Sequence, residues 1–224
     1  MTIIPAIIPK NFEDLEEHLS QVKGLVPLVQ IDVCDGKFVP RESWPYVKGK
    51  YSVDFEKILK EDEGMPYWKE LDFEVDLMVL NPEAVVSDWI SAGASRIIIH
   101  VEALKNEISS IFSATQDVVE LGIALNPDTP NDAILPYLEN IQFVQFMGIA
   151  KIGFQGEELD ERVYGKIREF KNNHPEILVS VDGGVNLENA KLLKEEGADR
   201  LVVGSAIFES ENLVETVEEF KKVS

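Results

Sequence analysis

A single cysteine, Cys34, stands among 224 residues. One thiol excludes an internal disulfide framework and suits a reducing compartment. Histidine is almost as scarce, with three in the chain, which limits any site built from several imidazoles. Basic residues are outnumbered, 21 Lys and Arg against 41 Asp and Glu, for a formal net charge of −20. Such an acidic chain repels nucleic acid and anionic membranes, so neither is an expected partner. No apolar run approaches the roughly 18 residues of a membrane span. The N-terminus also lacks the basic-then-apolar order of a signal peptide, and a cytoplasmic location is the expectation.

Hydrophobic residues make up 45% of the chain, enough to bury one large core. Short Val- and Ile-rich segments alternate with amphipathic ones from end to end. The strand patterns are Ile3–Ile8, Leu28–Val33, Phe73–Val79, Arg96–Val101, Gly122–Asn126, Phe143–Ile149, Ile177–Asp182 and Arg200–Gly204. Helical patterns cover Phe12–Val22, Pro82–Ala92, Leu104–Leu121, Asp132–Leu138, Glu157–Asn172, Leu187–Glu196 and Leu213–Val223. Asn11 reads as an N-cap, while Gly93, Gly122 and Gly197 read as helix ends. Eight strands with intervening helices predict an α/β fold, a single (β/α)8 TIM barrel over residues 1–224. A doubly wound sheet would need only six of those strands. One βα connection, at about 41–71, is long and carries Trp44, Tyr46, Tyr51, Tyr67 and Trp68, with a helical stretch at Val53–Lys60. Long connections of this kind serve as lids or subunit contacts, or simply pack on their own barrel. A homo-oligomer is therefore left open.

Two strand ends carry carboxylates. In Gln30-Ile31-Asp32-Val33-Cys34-Asp35-Gly36 an apolar run reaches Asp32 and turns at Asp35-Gly36. In Leu178-Val179-Ser180-Val181-Asp182-Gly183-Gly184 another run ends in Asp182, followed by two glycines and a helix start. Barrel enzymes keep their chemistry at such C-terminal strand ends. Gly183-Gly184 and, after the last strand, Gly204-Ser205 permit close backbone approach to an anion. Asn186 and Ser205 are candidate caps for helices that aim N–H groups at it. A tight-turn role explains either glycine pair alone. Together the pattern suggests proton transfer on a phosphorylated substrate.

These segments resemble the ribulose-phosphate 3-epimerase family. The second-strand stretch Ile31-Asp32-Val33-Cys34-Asp35-Gly36-Lys37-Phe38-Val39-Pro40 is similar to its signature. Further matches follow in order along nearly the whole chain. They are Pro5-Ala6-Ile7-Ile8, Val75-Asp76-Leu77-Met78-Val79 with Asn81-Pro82-Glu83, His100-Val101-Glu102-Ala103, Val181-Asp182-Gly183-Gly184-Val185-Asn186 and Gly204-Ser205-Ala206-Ile207-Phe208. The resemblance implies a ribulose-phosphate-binding barrel that epimerises D-ribulose 5-phosphate to D-xylulose 5-phosphate at C3. Two aspartates, here Asp32 and Asp182, would exchange protons on opposite faces of the sugar while a divalent metal holds the enediolate oxygens. It also implies phosphate binding by Gly153, Gly183, Gly184, Gly204 and Ser205, and a soft wall of Cys34, Met78 and Met147 near the reacting carbon.

Several positions depart from the family pattern. Two metal-ligand histidines are replaced by Gln30 and Asp76, so the implied metal set is Gln30, Asp32, Asp76 and Asp182. Oxygen donors alone favour magnesium or manganese over zinc or iron. The same change leaves open a barrel without a metal, including a non-enzymatic sugar-phosphate binder. An epimerase or lyase for a related sugar phosphate is a third possibility, although Met78 stands where neighbouring lyases carry lysine. The family's substrate serine on the first strand is Ala6. Its glycine-rich loop reads Ile152-Gly153-Phe154-Gln155-Gly156-Glu157 here, and Lys151 reads either as a solvated loop lysine or as an offset to Glu157. His18 and His174 read as surface residues, and His100 as a residue that lines the pocket.

Overall fold

A computed structural model describes residues 1–104 and 108–223. Eight parallel strands close into a barrel. They are β1 (Thr2–Ile7), β2 (Leu28–Cys34), β3 (Asp72–Met78), β4 (Arg96–His100), β5 (Glu120–Leu125), β6 (Phe143–Met147), β7 (Leu178–Asp182) and β8 (Arg200–Val203). The ring closes where β1 pairs with both neighbours, Thr2 registering with Arg200 on β8 and Ala6 with Gln30 on β2. The eight-stranded TIM barrel expected from alternation is the fold observed, and each strand lies within two residues of its predicted bounds. The helices around it are α1 (Phe12–Val22), α2 (Val53–Leu59), α3 (Val86–Ser91), α4 (Ile108–Thr115), α5 (Arg162–Asn173), α6 (Leu187–Glu196), α7 (Ser205–Phe208) and α8 (Leu213–Val223).

Local chemistry explains the sharpest boundaries. Asn11 accepts from the Asp14 N–H to start α1, and α6 opens on a reciprocal Asn186–Asn189 capping box. Gly197 ends α6 at φ 114°, where a Cβ is unfavourable. Other expected helices differ. Pro82–Ala92 divides into a 3-10 turn, Pro82–Ala84, and α3. Asn131–Asn140 is 3-10 with Pro136 inside it, since proline removes a backbone donor. The α5 helix begins only at Arg162, because Gly153–Glu158 is occupied by the long β6–α5 loop. Of the expected helix Leu104–Leu121, residues 105–107 lie outside the described residues, and α4 stops at Thr115. Gly122 is no helix end. It sits inside β5, where a Cβ would fall 2.3 Å from the Phe143 ring.

The long connection packs largely on its own barrel. A hairpin, Tyr46–Val47 against Lys50–Tyr51, leads into α2. Trp44, Phe55 and Trp89 are buried together, with ring centroids 4.7 to 5.8 Å apart. Trp68 stays exposed. Within the barrel, inward residues recur every second position. The lowest layer holds a buried Glu74–Arg200 ion pair, with Arg96 Nη1 at 3.8 Å from Glu74 and the Arg200 guanidinium 4.2 Å from the Phe143 ring centroid. Above it lie Gln30, Gln145 and Ser180, all fully buried. Above those, at the C-terminal mouth, are Asp32, Asp76, Asp182 and His100.

Candidate active site

Each site carboxylate is held by the turn that follows its strand. Beyond Asp32, Asp35 accepts from the N–H groups of Lys37 and Phe38 and, through its other oxygen, from Leu80 just past β3. Gly36 takes φ 71° in that turn. Ser43 returns to bond the Asp32 carbonyl at 2.8 Å and the Cys34 N–H at 2.9 Å. Asp182 is followed by Gly183 and Gly184 at φ 98° and 69°, conformations that penalise any side chain. A Cβ on Gly184 would also sit 2.6 Å from the Leu159 backbone, so this pair is required partly to seat the β6–α5 loop. Asp76 registers with Asp32 on the adjacent strand.

Asp32, Asp76 and Asp182 converge. One carboxylate oxygen from each lies within 4.8 Å of the others, and all three residues are buried. Beneath them Gln30 donates its amide to Asp32 at 2.8 Å and to Asp182 at 2.7 Å. Gln145, which sequence reasoning missed, donates to Asp76 and Asp182, both at 3.2 Å. As a metal ligand Gln30 would present its carbonyl or a bound water; its NH2 faces the carboxylates instead, because ionised oxygens are acceptors only. His100 does not line the cavity. It is fully buried, with Nε2 3.2 Å from Asp76 Oδ1 and Nδ1 3.7 Å from Glu102.

Burial and mutual repulsion dominate the electrostatics. Burial first, then the charge of Asp76, pushes Asp182 up to about 7 against the Gln30 bond and His100. Asp32 is raised well above the usual carboxylate range by burial and then by Asp182 and Asp76. For His100, burial opposes the charged form, but Asp76 and Glu102 override it and hold the imidazolium up to about 10. Glu102 is likewise penalised by burial, yet bonds from His100, Thr129 and the Asn126 N–H hold it at about 2. Burial also pushes the Cys34 thiol up, which keeps it protonated and unreactive, and it does not reach the cavity wall expected of it.

The remaining expected residues gather around one cavity of about 40 Å3. Asp32, Asp182, Met78, Met147, Gly153, Gly183, Gly184, Gly204 and Ser205 all line it. Gln30 and Asp76 do not line it; Gln30 bonds Asp32 and Asp182, Asp76 registers with Asp32, and Cys34 lies behind Gly153. Ser205 is the first residue of α7 and makes no capping bond; the cap position is Gly204. His18 and His174 are half-buried rather than exposed, packed on Phe208 and Phe170. Lys151 is exposed. The β6–α5 loop closes the cavity. Gln155 reaches across the mouth to the Ala6 carbonyl at 3.2 Å, and Arg41 bonds the Gly153 carbonyl at 3.3 Å. Since one water needs about 10–15 Å3, the space left under the loop in this arrangement is that of a few waters.

A sequence profile described as the ribulose-phosphate 3 epimerase family matches residues 2–208. The chain belongs to the ribulose-phosphate 3-epimerase family. Among its curated relatives, the ribulose-phosphate 3-epimerase of Bacillus subtilis is 30% identical, over 98% of this chain and 97% of the relative. The chloroplastic ribulose-5-phosphate-3-epimerase of Arabidopsis thaliana is 31% identical over 98% of this chain and 75% of its own. By family the chain is therefore an isomerase of the epimerase type. Among solved structures, 3-hexulose-6-phosphate synthase from Salmonella typhimurium superposes with a TM-score of 0.69 at 16% identity, covering 100% of this chain and 98% of that one, a likeness of fold. Among the described residues no helix is long and apolar enough to cross a membrane.

The three carboxylates fit a divalent cation. Their oxygens converge within reach of one ion, and two further buried oxygens nearby, Gln30 Oε1 and Gln145 Oε1, have no hydrogen-bond partner. An all-oxygen set of this kind is that of a hard cation.

Proposed function

We propose that this chain epimerises a ketopentose phosphate at C3, converting D-ribulose 5-phosphate to D-xylulose 5-phosphate. The observation that carries the reading is the pairing of Asp32 and Asp182, buried side chains from strands three places apart round the barrel, on one cavity. One ionised carboxylate removes the C3 proton from one face. The other, protonated, delivers its proton to the opposite face, so C3 inverts and the two carboxylates exchange protonation states. In the cation-free protein burial and mutual repulsion raise both carboxylates, Asp182 to about 7, so proton exchange on this pair falls near neutral pH. A single base would return the proton to the face it left.

A divalent ion bound by Asp32, Asp76 and Asp182, with Gln30 beside them, supplies positive charge for the oxygen that becomes negative as the proton leaves. Magnesium and manganese suit that donor set better than zinc or iron. The substrate phosphate rests on backbone N–H groups of Gly183, Gly184, Gly204 and Ser205, with Gly153 closing from the loop. Met78 and Met147 form the soft wall of the cavity. Cytoplasmic, pentose-phosphate metabolism is the setting that goes with this reading.

A second reading has an observation of its own. Gln30 and Gln145 already give the carboxylates NH2 partners, as a metal-free sugar-phosphate binder would require. Chelated protein assayed with D-ribulose 5-phosphate under added magnesium, manganese or zinc separates the two. Conversion restored best by magnesium or manganese supports the epimerase. No conversion with any ion, alongside intact sugar-phosphate binding, supports the binder.

A further inference from the structure

The layer beneath the carboxylates holds a feature that the proposed cation set leaves out. Gln145 is fully buried, and its Nε2 lies 3.2 Å from both Asp76 Oδ2 and Asp182 Oδ2. Its Oε1 has no partner. Gln30 repeats the arrangement across the barrel, with Nε2 on Asp32 and Asp182 and Oε1 unpartnered. Two amides thus underlie three carboxylates, and Asp182 receives both.

A carboxamide is nearly symmetric in shape, and its terminal torsion is broad and roughly two-fold. A half-turn exchanges a donor for an acceptor with little change in packing. With no cation, the NH2 groups belong against the carboxylates. With a cation among the carboxylates, an NH2 directed at it is repelled, whereas an amide oxygen in the same place is a ligand. The displaced NH2 of Gln145 also has a neighbour to receive it. Ser180 registers with Gln145 on β7, and its buried hydroxyl lacks a partner. Glu74 registers with Gln30 and carries a buried, unpartnered Oε1.

We propose that Gln145 is a fifth member of the cation site, its side-chain amide turning to offer Oε1 when a hard divalent ion occupies Asp32, Asp76 and Asp182. Gln30 turns with it. The inference rests on the cation reading above, and it adds a ligand from β6, a strand to which that reading gives none. A merely neutralising role for Gln145 makes the opposite prediction. Removing an NH2 that only screens three carboxylates increases their repulsion and so tightens cation binding.

The test is manganese titration of chelated full-length protein, read from the electron paramagnetic resonance of free Mn2+. The unaltered protein is expected to bind one ion. Gln145→Leu and the closely isosteric Gln145→Met are each expected to weaken it by about ten- to a hundred-fold. Asp76→Ala, the control, weakens binding as well. Unchanged or tighter binding in both glutamine variants, with normal binding by the unaltered protein, overturns the role of Gln145 and leaves the cation reading standing. No manganese binding by the unaltered protein overturns both. A second measurement needs no variant: glutamine-selective 15N labelling, with side-chain NH2 signals followed on magnesium saturation. Two such signals are expected to shift as their carboxylate bonds are lost, and a spectrum in which none moves also overturns the proposal.

Discussion

Chelated protein should lose stability as pH rises from about 5 to about 8, and a divalent cation should reverse the trend. Asp182 moves from 3.8 to about 7 on folding, and Asp32 is raised too. A folded-state pKa above the unfolded one means that the native state holds the proton more tightly. The contribution to stability is therefore complete below about pH 4 and is lost as pH climbs through about 7. For Asp182 alone the difference is about 4 kcal/mol, at about 1.4 kcal/mol per pH unit of linkage. For a chain of this length each kcal/mol shifts Tm by roughly 2–4 °C, so a fall of about 10 °C is expected. Thermal unfolding by circular dichroism, with chelator and then with magnesium or manganese, measures it. The net charge of −20 also penalises high pH, so Asp182→Asn serves as the reference. Its Tm should depend much less on pH. Equal pH slopes for the two chelated proteins would refute the buried-carboxylate reasoning.

Replacing either Asp32 or Asp182 with Asn should lower turnover by roughly two to four orders of magnitude with the fold retained, and unchanged turnover in both variants would remove them from proton transfer. A ketopentose 5-phosphate should bind more tightly than the same unphosphorylated sugar in a calorimetric titration; equal affinities contradict a phosphate anchor. Because Gln155 fastens the closed loop to Ala6, Gln155→Ala should speed hydrogen exchange in 149–159 and leave the barrel strands protected. Trp44→Ala should cost about 3–5 kcal/mol in denaturant unfolding, since the ring is buried between Phe55 and Trp89.

The strands were legible because a buried parallel strand is a short Val- and Ile-rich run closed by turn residues, and this chain keeps those runs clean. Asp32 and Asp182 stood out for the same reason: each ends such a run before a glycine turn. Asp76 was visible only through the family resemblance, at a position where the pattern has a metal-ligand histidine; its register with Asp32 came from the structure. Gln145 was not, because a glutamine within Phe143–Met147 looks like any polar strand residue until closure of the barrel decides which face it occupies. Its one signal was the period-two spacing to Met147, which puts both on the same inward face. Arg200 and Glu74 escaped notice similarly, as a charge at a strand start reads as solvent-facing. Gln155 and the latch to Ala6 join residues 149 apart in sequence, a contact that no local pattern encodes. Gly122 was misread because a glycine after an amphipathic stretch resembles a helix end, whereas its real partner is the Phe143 ring on the next strand.

Solvent hydrogen at C3 reports the two-carboxylate exchange most directly. D-ribulose 5-phosphate would be incubated in D2O with magnesium- or manganese-loaded protein and followed by proton NMR at early conversion. Transfer between two faces by two separate carboxylates predicts D-xylulose 5-phosphate carrying solvent deuterium at C3, with little deuterium in the recovered substrate. Product that retains the original C3 hydrogen, or deuterium that enters substrate alone without inversion, would contradict the pairing of Asp32 with Asp182.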